Sequence, residues 1–192
     1  KYSLASKNGG NSSQAAMVII DHKTGYVTGC TGGLGKKTEP RSLNRATQSI
    51  RQTGSAIKPI AVLAPAISKK MITAASIYDD TERDFAEGYH PTDYNPSLGK
   101  VTVRRAVESS QNIPFVEIME KLKPSKSIKF LEKMGVTTLT EEDNNLVLAL
   151  GGLQKGISPL EMAGAYATIA NDGVYIEPTF YNKIENKNGT LI

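Results

Sequence analysis

The sequence predicts an α/β protein of the α+β type, in which an antiparallel sheet is flanked by helices. Two hairpin patterns lie near the two ends of the chain, and apolar segments with helix caps lie between them. The 192 residues, 39% hydrophobic and 22% charged, can form one sizeable core or two modest ones. Residues 1–14 are polar and rich in glycine, serine and asparagine, so we predict a tail or linker there.

The first element is predicted to be a β-hairpin. Two apolar runs, 15–21 and 26–31, flank the turn sequence HKTG. Their contiguous apolar residues predict strands that are buried on both faces. Cys30 is the single cysteine, which excludes an intrachain disulfide, and its position in a strand predicts a buried structural thiol. A glycine-rich exit then leads into a polar loop that reaches about Gln52.

Helices are predicted through the middle of the chain. Residues 57–67 are apolar almost all round, which predicts a central buried helix. Residues 79–100 carry prolines and glycines beside acids and tyrosines, and are predicted to be an excursion loop. Thr102 is predicted to cap a short helix that breaks at SSQNIP, where Pro114 opens the next helix, 115–122.

The remaining elements are predicted from caps and turns. Ser125 is predicted to cap a helix that ends at Gly135. The clearest helix start is SPLE, a capping box that begins at Ser158 and predicts a helix ending before Gly173. The pair Asn188-Gly189, between FYNKIE and TLI, predicts a second hairpin. A sheet that stops in this hairpin has an open edge, so we expect a further strand to pair with it.

Composition argues against several classes of function. The net charge of +4 comes from scattered basic residues, which does not indicate a nucleic-acid surface. The longest apolar run, 60–67, is far shorter than the ~20 residues of a membrane span. His22 and His90 are far apart in the sequence and offer no cluster of metal ligands, so we expect no metal or cofactor. The acidic groups at 79–80 and 141–143 are predicted to be solvated loops.

The stretch TGSAIKP places a serine three residues before a lysine. About one such pair is expected by chance, and two occur, Ser55/Lys58 and Ser97/Lys100. Only the first leads from a glycine turn into the buried helix, where residues i and i+3 share a face. Desolvation there would lower the pKa of Lys58, so its neutral amine could deprotonate Ser55. The alternative is that Ser55 caps the helix and Lys58 reaches water from its first turn.

Three long stretches then occur in order: NRATQSIRQTGSAIKP, SSQNIP and LALGGLQKGISPLEMAGAYATIANDGVYIEP. Together they resemble the transpeptidase domain of penicillin-binding proteins, most closely the bifunctional class that also carries a glycosyltransferase domain. The resemblance implies the serine β-lactamase/penicillin-binding transpeptidase fold, with its C-terminal strands missing from this chain. Residues 15–192 would then be the N-terminal major part of the domain.

The resemblance also implies roles for four residues. Ser55 would be the acylated nucleophile and Lys58 its activating partner. Ser110 and Asn112 would form the second motif, SxN, and bind substrate: Ser110 helps to pass a proton to the departing D-alanine, and Asn112 orients Lys58 and holds a substrate amide. The alternative for Ser110 and Asn112 is that they only cap helices. The family usually has proline, a hydroxyl residue and an aromatic residue where this chain has Thr53, Ala56 and Ile57.

The third motif of the family, Lys-Thr-Gly, occurs in this chain at a position that does not fit the catalytic copy. Lys23, Thr24 and Gly25 spell it, but they lie in the first hairpin turn, before the nucleophile. The catalytic copy should follow the second motif on a strand that lines the cleft. We therefore expect it outside this chain, on a separate chain such as a cleaved C-terminal fragment.

The implied function is that of a peptidoglycan D,D-transpeptidase, with stem peptides as substrates and β-lactams as covalent inhibitors. By resemblance the protein would lie outside the cytoplasmic membrane, anchored through an upstream segment; a start at Lys1 with no signal peptide indicates excision from a longer precursor. One alternative is a non-catalytic β-lactam-recognising or wall-binding module of the same fold. Another is a serine β-lactamase, whose deacylating base would have to be Glu108, on a predicted exposed helix face. The last is a soluble domain in which the motifs occur by chance.

Overall fold

A computed structural model describes residues 13–35, 37, 40–189 and 191. The predicted tail therefore lies almost wholly outside the described residues. The fold is α+β, as predicted, and the chain divides into two units: residues 1–50 with 158–192, and residues 51–157. No helix of the described residues is long and apolar enough to cross a membrane.

The first unit is a hairpin with helices. The strands β1 (Met17–Ile20) and β2 (Val27–Thr31) pair antiparallel around the HKTG turn, which confirms the predicted hairpin. The predicted polar loop contains a short helix, α1 (Arg45–Gln48), whose first turn is capped by the Asn44 side chain. The helix α6 (Pro159–Ala170) packs on β1 and α1 and completes this unit.

The prediction that the hairpin is buried on both faces is wrong. The side chains of Met17 and Ile19 are 53% and 49% exposed, and both strands alternate between exposed and half-buried residues. Such alternation is typical of an antiparallel pair that packs on one face only. Cys30 lies at an exposed position of β2, so the prediction of a buried structural thiol is also wrong.

The capping box at the start of α6 is present as predicted. The Ser158 hydroxyl accepts from the Glu161 amide at 3.2 Å, and Glu161 Oε2 accepts from the Ser158 amide at 3.0 Å. The helix ends before Gly173, whose φ is +86°. The C-terminal hairpin is reduced, among the described residues, to one antiparallel bridge between Glu185 and Leu191.

The second unit is mainly helical. Its two short strands, β3 (Ile77–Asp79) and β4 (Lys100–Thr102), pair at the two ends of the segment predicted as an excursion loop. The Thr102 hydroxyl caps the following helix, as predicted. The helices of this unit are α2 (Ala64–Ser68), α3 (Val103–Glu108), α4 (Ile113–Leu122) and α5 (Pro124–Lys133), with short 3₁₀ turns at Ala86–Gly88, Glu141–Asp143 and Leu146–Leu150.

The core of this unit forms around α4. Pro114 lies in the first turn of α4, as predicted, and the helix packs on α5 and Leu146–Leu150. Ser125 does not cap α5, because the helix already begins at Pro124, whose fixed φ suits a first turn. The largest fully buried side chains are Ile57, Ile60, Ile113, Phe115, Ile118, Met119, Leu122, Leu131 and Leu148.

The segment predicted as a central buried helix is helical but irregular. A 3₁₀ turn, Gly54–Ile57, leads through a π-helical stretch, Pro59–Leu63, into α2. Pro65 has no amide hydrogen, so it cannot bond the carbonyl of Ala61 four residues earlier. The buried Ser127 hydroxyl on α5 donates to that carbonyl instead, at 2.6 Å.

One acidic group predicted to be solvated is structural instead. Asp143 is buried, and its carboxylate accepts from the Thr140 amide at 2.7 Å and from the Gln154 amide at 2.8 Å. A buried carboxylate is stable when backbone donors satisfy it, and these two donors join separate loops. Glu141 and Glu142 of the same turn are exposed, as predicted.

Candidate active site

Ser55 and Lys58 lie on one turn of helix. The Lys58 amide bonds to the Ser55 carbonyl across the 3₁₀ turn, and side chains three residues apart eclipse one another in such a turn. Ser55 is exposed, and among the described residues its hydroxyl has no hydrogen-bond partner. Lys58 is only 3% exposed. An accessible hydroxyl thus stands beside a buried amine, although no hydrogen bond joins the two side chains.

The Lys58 amine is held by three consecutive residues of the break between α3 and α4. Its Nζ donates to the Ser110 carbonyl at 2.8 Å, to the Gln111 carbonyl at 2.9 Å and to Asn112 Oδ1 at 2.7 Å. The Ser110 hydroxyl lies 3.3 Å from the same nitrogen. These contacts bring together Lys58, Ser110 and Asn112, the residues that the resemblance had assigned to one site.

The surroundings of Lys58 act on its charge in opposite directions. Burial lowers the pKa of Lys58 from 10.5 to about 8, which is the predicted direction, whereas the negative charges of Asp93 and Asp80 favour the ammonium. The Phe115 ring, with its centroid 4.9 Å from Nζ, also favours the ammonium. With a pKa of about 8, roughly one Lys58 in ten is a neutral amine at pH 7.

In the loop 110–112, Ser110 has an unusual backbone conformation and the Asn112 side chain bonds to Lys58 instead of capping a helix. Ser110 has a φ of +54°, a conformation that non-glycine residues seldom adopt and that clusters at functional sites. Asn112 precedes α4 but its side chain makes no capping bond. It accepts from Lys58 and donates from Nδ2 to the Thr92 carbonyl at 2.7 Å. The alternative that Asn112 only caps a helix is therefore wrong.

One residue of this loop, Gln111, and two residues behind it, Asp80 and Asp93, were not predicted from the sequence. Gln111 is buried and donates from Nε2 to Asp80, while the Asn112 amide donates to Asp93. Asp80 is fully buried, so the prediction of a solvated loop is wrong for this residue. The signal for Gln111 is absent from the sequence because its contact to Lys58 uses a backbone carbonyl, which every residue has.

Two glycines bring the chain against the turn that carries Ser55. Gly151, with φ of +79°, lies so close that a Cβ there would be 2.2 Å from the Gly54 carbonyl oxygen. A Cβ on Gly156 would be 2.2 Å from the Arg51 carbonyl carbon. Arg51 and Ile157 exchange backbone hydrogen bonds of 3.2 and 2.9 Å. The segment 151–157 therefore supports the backbone of this turn by direct contact.

The second SxxK pair has no helix that holds it, as predicted. The Ser97 hydroxyl donates to the Asp80 carbonyl at 2.7 Å, and Lys100 lies in the strand β4 with no helix to hold the two together. The Lys-Thr-Gly copy at Lys23 lies in the exposed hairpin turn, where Lys23 Nζ donates to Asn171 at 3.4 Å. Glu108 is exposed on α3 and pairs with Arg105 at 3.2 Å.

Neither histidine forms a hydrogen bond with this cluster among the described residues. His22 is in the first hairpin turn, and His90 is exposed and bonds to Asp84 at 2.8 Å. Within the part of the chain that the structure describes, no group of three or more potential metal ligands occurs. The groups gathered around the Lys58 amine are the polar atoms of loop 110–112.

Comparison with known proteins places the chain in a family. Residues 15–191 match the family model "Penicillin binding protein transpeptidase domain". The chain belongs to this family. The predicted resemblance to the penicillin-binding transpeptidase domain is thereby confirmed.

Several penicillin-binding proteins are similar along almost the whole chain. Penicillin-binding protein 1A of Clostridium acetobutylicum is 35% identical over 100% of this chain, and penicillin-binding protein 1F of Bacillus subtilis is 35% identical over 93%. The chain covers 25% and 24% of these two relatives, so it spans about a quarter of their length.

Solved structures of penicillin-binding proteins share the fold. Penicillin-binding protein 1A of Haemophilus influenzae superposes with a TM-score of 0.79 at 28% identity, over 93% of this chain and 26% of that one. PonA1 of Mycobacterium tuberculosis in complex with penicillin V gives 0.80 at 26% identity, over 93% of this chain and 50% of that one. The predicted fold class is confirmed by these structures.

Proposed function

We propose that this chain carries the acylation machinery of a peptidoglycan D,D-transpeptidase that works through a serine acyl-enzyme. The observation that carries the proposal is the set of contacts around Lys58: one buried amine, with its pKa lowered to about 8, is held by Ser110 and Asn112 on the helical turn that exposes Ser55. Membership of the penicillin-binding transpeptidase family supports the same reading.

The first half of the reaction forms an ester. The neutral Lys58 amine takes the proton of the Ser55 hydroxyl while Oγ attacks the carbonyl carbon between the two terminal D-alanines of a stem peptide. The C–N bond then breaks, and the leaving nitrogen receives a proton from Lys58 through the Ser110 hydroxyl, 3.3 Å from Nζ. Asn112 keeps Lys58 in place and offers its side chain to a substrate amide.

The second half of the reaction transfers the acyl group. An amine from a neighbouring stem peptide attacks the ester carbon and gives one proton to the neutral Lys58 amine, the C–O bond to Ser55 breaks, and Oγ receives that proton from Lys58. The products are a new peptide cross-link and the free enzyme. A β-lactam would acylate Ser55 by the same first half; the structure of the similar PonA1 is of a complex with penicillin V, which supports β-lactams as ligands of this chain.

The surroundings of the reaction follow from the same proposal. Its substrates, peptidoglycan stem peptides, lie outside the cytoplasmic membrane, so the protein would act there, anchored to the membrane through a segment other than the residues described. A strand with the third motif, Lys-Thr-Gly, would complete the cleft, and we propose that a C-terminal segment outside this chain supplies it.

The proposal is tested by intact mass after incubation with a penicillin, on the protein as it is produced in the cell. We expect a covalent adduct on the wild type, its loss in Ser55→Ala, and its retention in Ser97→Ala, the matched serine of the second SxxK pair. An adduct that persists in Ser55→Ala would overturn the assignment of the nucleophile. A folded wild type that forms no adduct would favour the non-catalytic module.

Turnover then separates the remaining enzyme classes. With a peptide that ends in D-Ala-D-Ala and an amine acceptor, we expect release of D-alanine together with a cross-linked product. Rapid hydrolysis of the penicilloyl adduct, with no cross-linked product, would indicate a serine β-lactamase instead.

Ser110→Ala is expected to slow acylation by about a hundredfold or more, the usual contribution of a proton-transfer group.

A further inference from the structure

Asp80 and Asp93 lie behind loop 110–112, and each leaves one buried oxygen without a partner. Oδ2 of Asp80 accepts from Gln111 Nε2 and from the Leu98 amide, the latter at 2.8 Å. Oδ1 of Asp93 accepts from the Asn112 amide. The other two oxygens, Oδ1 of Asp80 and Oδ2 of Asp93, are buried and have no hydrogen-bond partner among the described residues.

Two ionised carboxylates cannot satisfy each other, because an ionised carboxylate only accepts hydrogen bonds. A buried acceptor without a donor is costly, and a second negative charge nearby adds repulsion. One proton removes both costs, since a protonated carboxyl has an O–H that donates to its neighbour. Burial raises the pKa of Asp93 and the neighbouring Asp80 carboxyl raises it further, whereas the bond from the Asn112 amide and the Lys58 ammonium lower it.

We propose that Asp93 is a positioning residue for Lys58 and acts in its protonated form. Its Oδ2–H donates to Oδ1 of Asp80, while its Oδ1 accepts from the Asn112 amide. The pair then carries one proton and one negative charge, and no buried oxygen is left unpaired. Through Gln111 and Asn112 it fixes the carbonyl and side-chain oxygens to which the Lys58 amine donates.

The arrangement also sets the charge around Lys58. The groups that act on Asp93 are Asp80, which follows β3, the Asn112 amide and the Lys58 ammonium. Lys58 is faced in turn by Asp93, Asp80 and the Phe115 ring. A protonated Asp93 leaves one negative charge, on Asp80, opposite one ammonium. The consequence for Lys58 as a base rests on the proposed function, whereas the proton on Asp93 does not.

The free energy of unfolding, measured as a function of pH, tests whether Asp93 holds a proton in the folded protein. A carboxyl whose pKa is raised in the folded state binds its proton there after the unfolded chain has lost it, so stability falls as pH rises from about 4 towards the folded pKa. Asparagine has the shape of the protonated acid and no proton to lose. We therefore expect the folding constant of Asp93→Asn, relative to wild type, to rise by up to about tenfold per pH unit over that window.

The matched control is Asp172→Asn, the same substitution at an exposed carboxylate that has φ of +55°, which asparagine tolerates. Its folding constant should follow the wild type over the same range. Parallel curves for wild type and Asp93→Asn between pH 4 and 8 would overturn the proposal, because they would mean that folding binds no extra proton at this residue.

The pH dependence of acylation by a fluorescent penicillin supplies a second readout that a purely structural role would not change. In the Asp93→Asn background, where residue 93 has no proton to lose, Asp80→Asn removes the remaining negative charge, so the pKa of Lys58 should fall and the midpoint of the acid limb should move to lower pH. Asp93→Asn replaces a neutral acid by a neutral amide, so its midpoint should stay at the wild-type pH. An equal shift in both variants would overturn the proposal.

The two measurements distinguish a failure of the proposed function from a failure of the proposal for Asp93. A wild type that is not acylated at all would overturn the proposed function, and the stability curves alone would then decide whether Asp93 holds a proton. Acylation with a normal wild-type profile but without the expected difference between the double variant and Asp93→Asn would leave the function in place and remove the positioning role of the protonated pair.

Discussion

Lys58 is the residue on which the chemistry of the site depends. Three oxygens lie within 2.9 Å of its Nζ, enough to receive all three N–H bonds of an ammonium. To act as a base the amine must lose one of these bonds and turn its lone pair outward. The lowered pKa, about 8, makes this change possible near neutral pH, and the Ser110 hydroxyl lies within hydrogen-bond distance of the amine, at 3.3 Å.

The Phe115 ring shifts the equilibrium between the ammonium and the neutral amine of Lys58 towards the ammonium. The first prediction concerns the substitution of this ring. The ring attracts the ammonium by about 1 kcal/mol. Phe115→Leu should therefore lower the pKa of Lys58 by about 0.7 unit, and the acid limb of the acylation profile, with a midpoint near pH 8 in the wild type, should move to lower pH by the same amount.

The control for this prediction is Phe85→Leu. Phe85 is also buried beneath a cation, but that cation is Arg83, whose carbon Cζ lies 4.8 Å from the ring centroid. Both variants lose packing, and only Phe115→Leu should shift the acylation midpoint. A shift of equal size in Phe85→Leu, or a shift of Phe115→Leu towards higher pH, would contradict the role given to the Phe115 ring.

At the scale of elements, the site depends on an irregular helix. The sequence predicted a glycine turn that leads into a buried helix, because both are local patterns. It did not predict the π-helical stretch Pro59–Leu63, since the carbonyl that Pro65 leaves open is satisfied by Ser127, which is distant in the sequence. Local periodicity carries no information about such a partner.

Ser127→Ala tests that account. Removal of the hydroxyl takes away its buried hydrogen bond to the Ala61 carbonyl, and we expect a loss of about 1 kcal/mol in the free energy of unfolding. Ser125→Ala is the matched control on the same helix: Ser125 is exposed and does not cap α5, so its loss should be within about 0.5 kcal/mol. Denaturant titration measures both, and equal losses would argue against the Ser127 bond.

The close approach of Gly151 to the Gly54 backbone gives the third prediction. Gly151→Ala and Gly99→Ala both place a Cβ at positive φ, +79° and +63°, which costs about 1–2 kcal/mol in each. Only Gly151→Ala also drives that Cβ into the Gly54 carbonyl, because nothing lies within 4 Å of a Cβ at Gly99. We expect it to displace Ser55 and to slow penicillin acylation by about a hundredfold.

Circular dichroism and the kinetics of acylation together decide this prediction. Gly99→Ala should keep acylation close to the wild-type rate in spite of its lower stability. If Gly151→Ala is folded and acylates as fast as Gly99→Ala, the contact between Gly151 and the turn does not position the nucleophile. If both variants acylate slowly, the effect is one of general stability.

At the scale of the whole molecule, sequence patterns predicted what neighbouring residues decide. The first hairpin forms around a short turn, and the Thr102 cap and the capping box at Ser158 join residues only three positions apart. Burial was predicted less well. Asp80 and Asp143 were expected in solvent, but Asp80 bonds to Gln111, 31 positions later, and Asp143 bonds to the Gln154 amide, 11 positions later.

The candidate site was predictable in the same uneven way. Ser55 and Lys58 could be paired from their spacing and from the helix that follows. Ser110 and Asn112 were identified by family resemblance, because no rule of spacing connects them to Lys58. The supporting carboxylates were not predicted at all, since an aspartate in a polar loop has the same sequence pattern whether it is solvated or buried under Gln111.

The Lys-Thr-Gly sequence at Lys23 makes the last prediction, which concerns the place of a motif in the fold. In the first hairpin Lys23 is exposed and contacts Asn171, and the Thr24 hydroxyl accepts from the Tyr26 amide at 3.3 Å. These hydrogen bonds stabilise the hairpin turn, so we assign Lys23 and Thr24 a structural role.

We expect Lys23→Ala and Thr24→Ala to keep penicillin acylation within about twofold of wild type, as for other surface substitutions. Ser110→Ala, the positive control, should lower it by about a hundredfold. A large loss in Lys23→Ala at unchanged stability would mean that this turn, and not a strand beyond the described residues, supplies the third motif of the family.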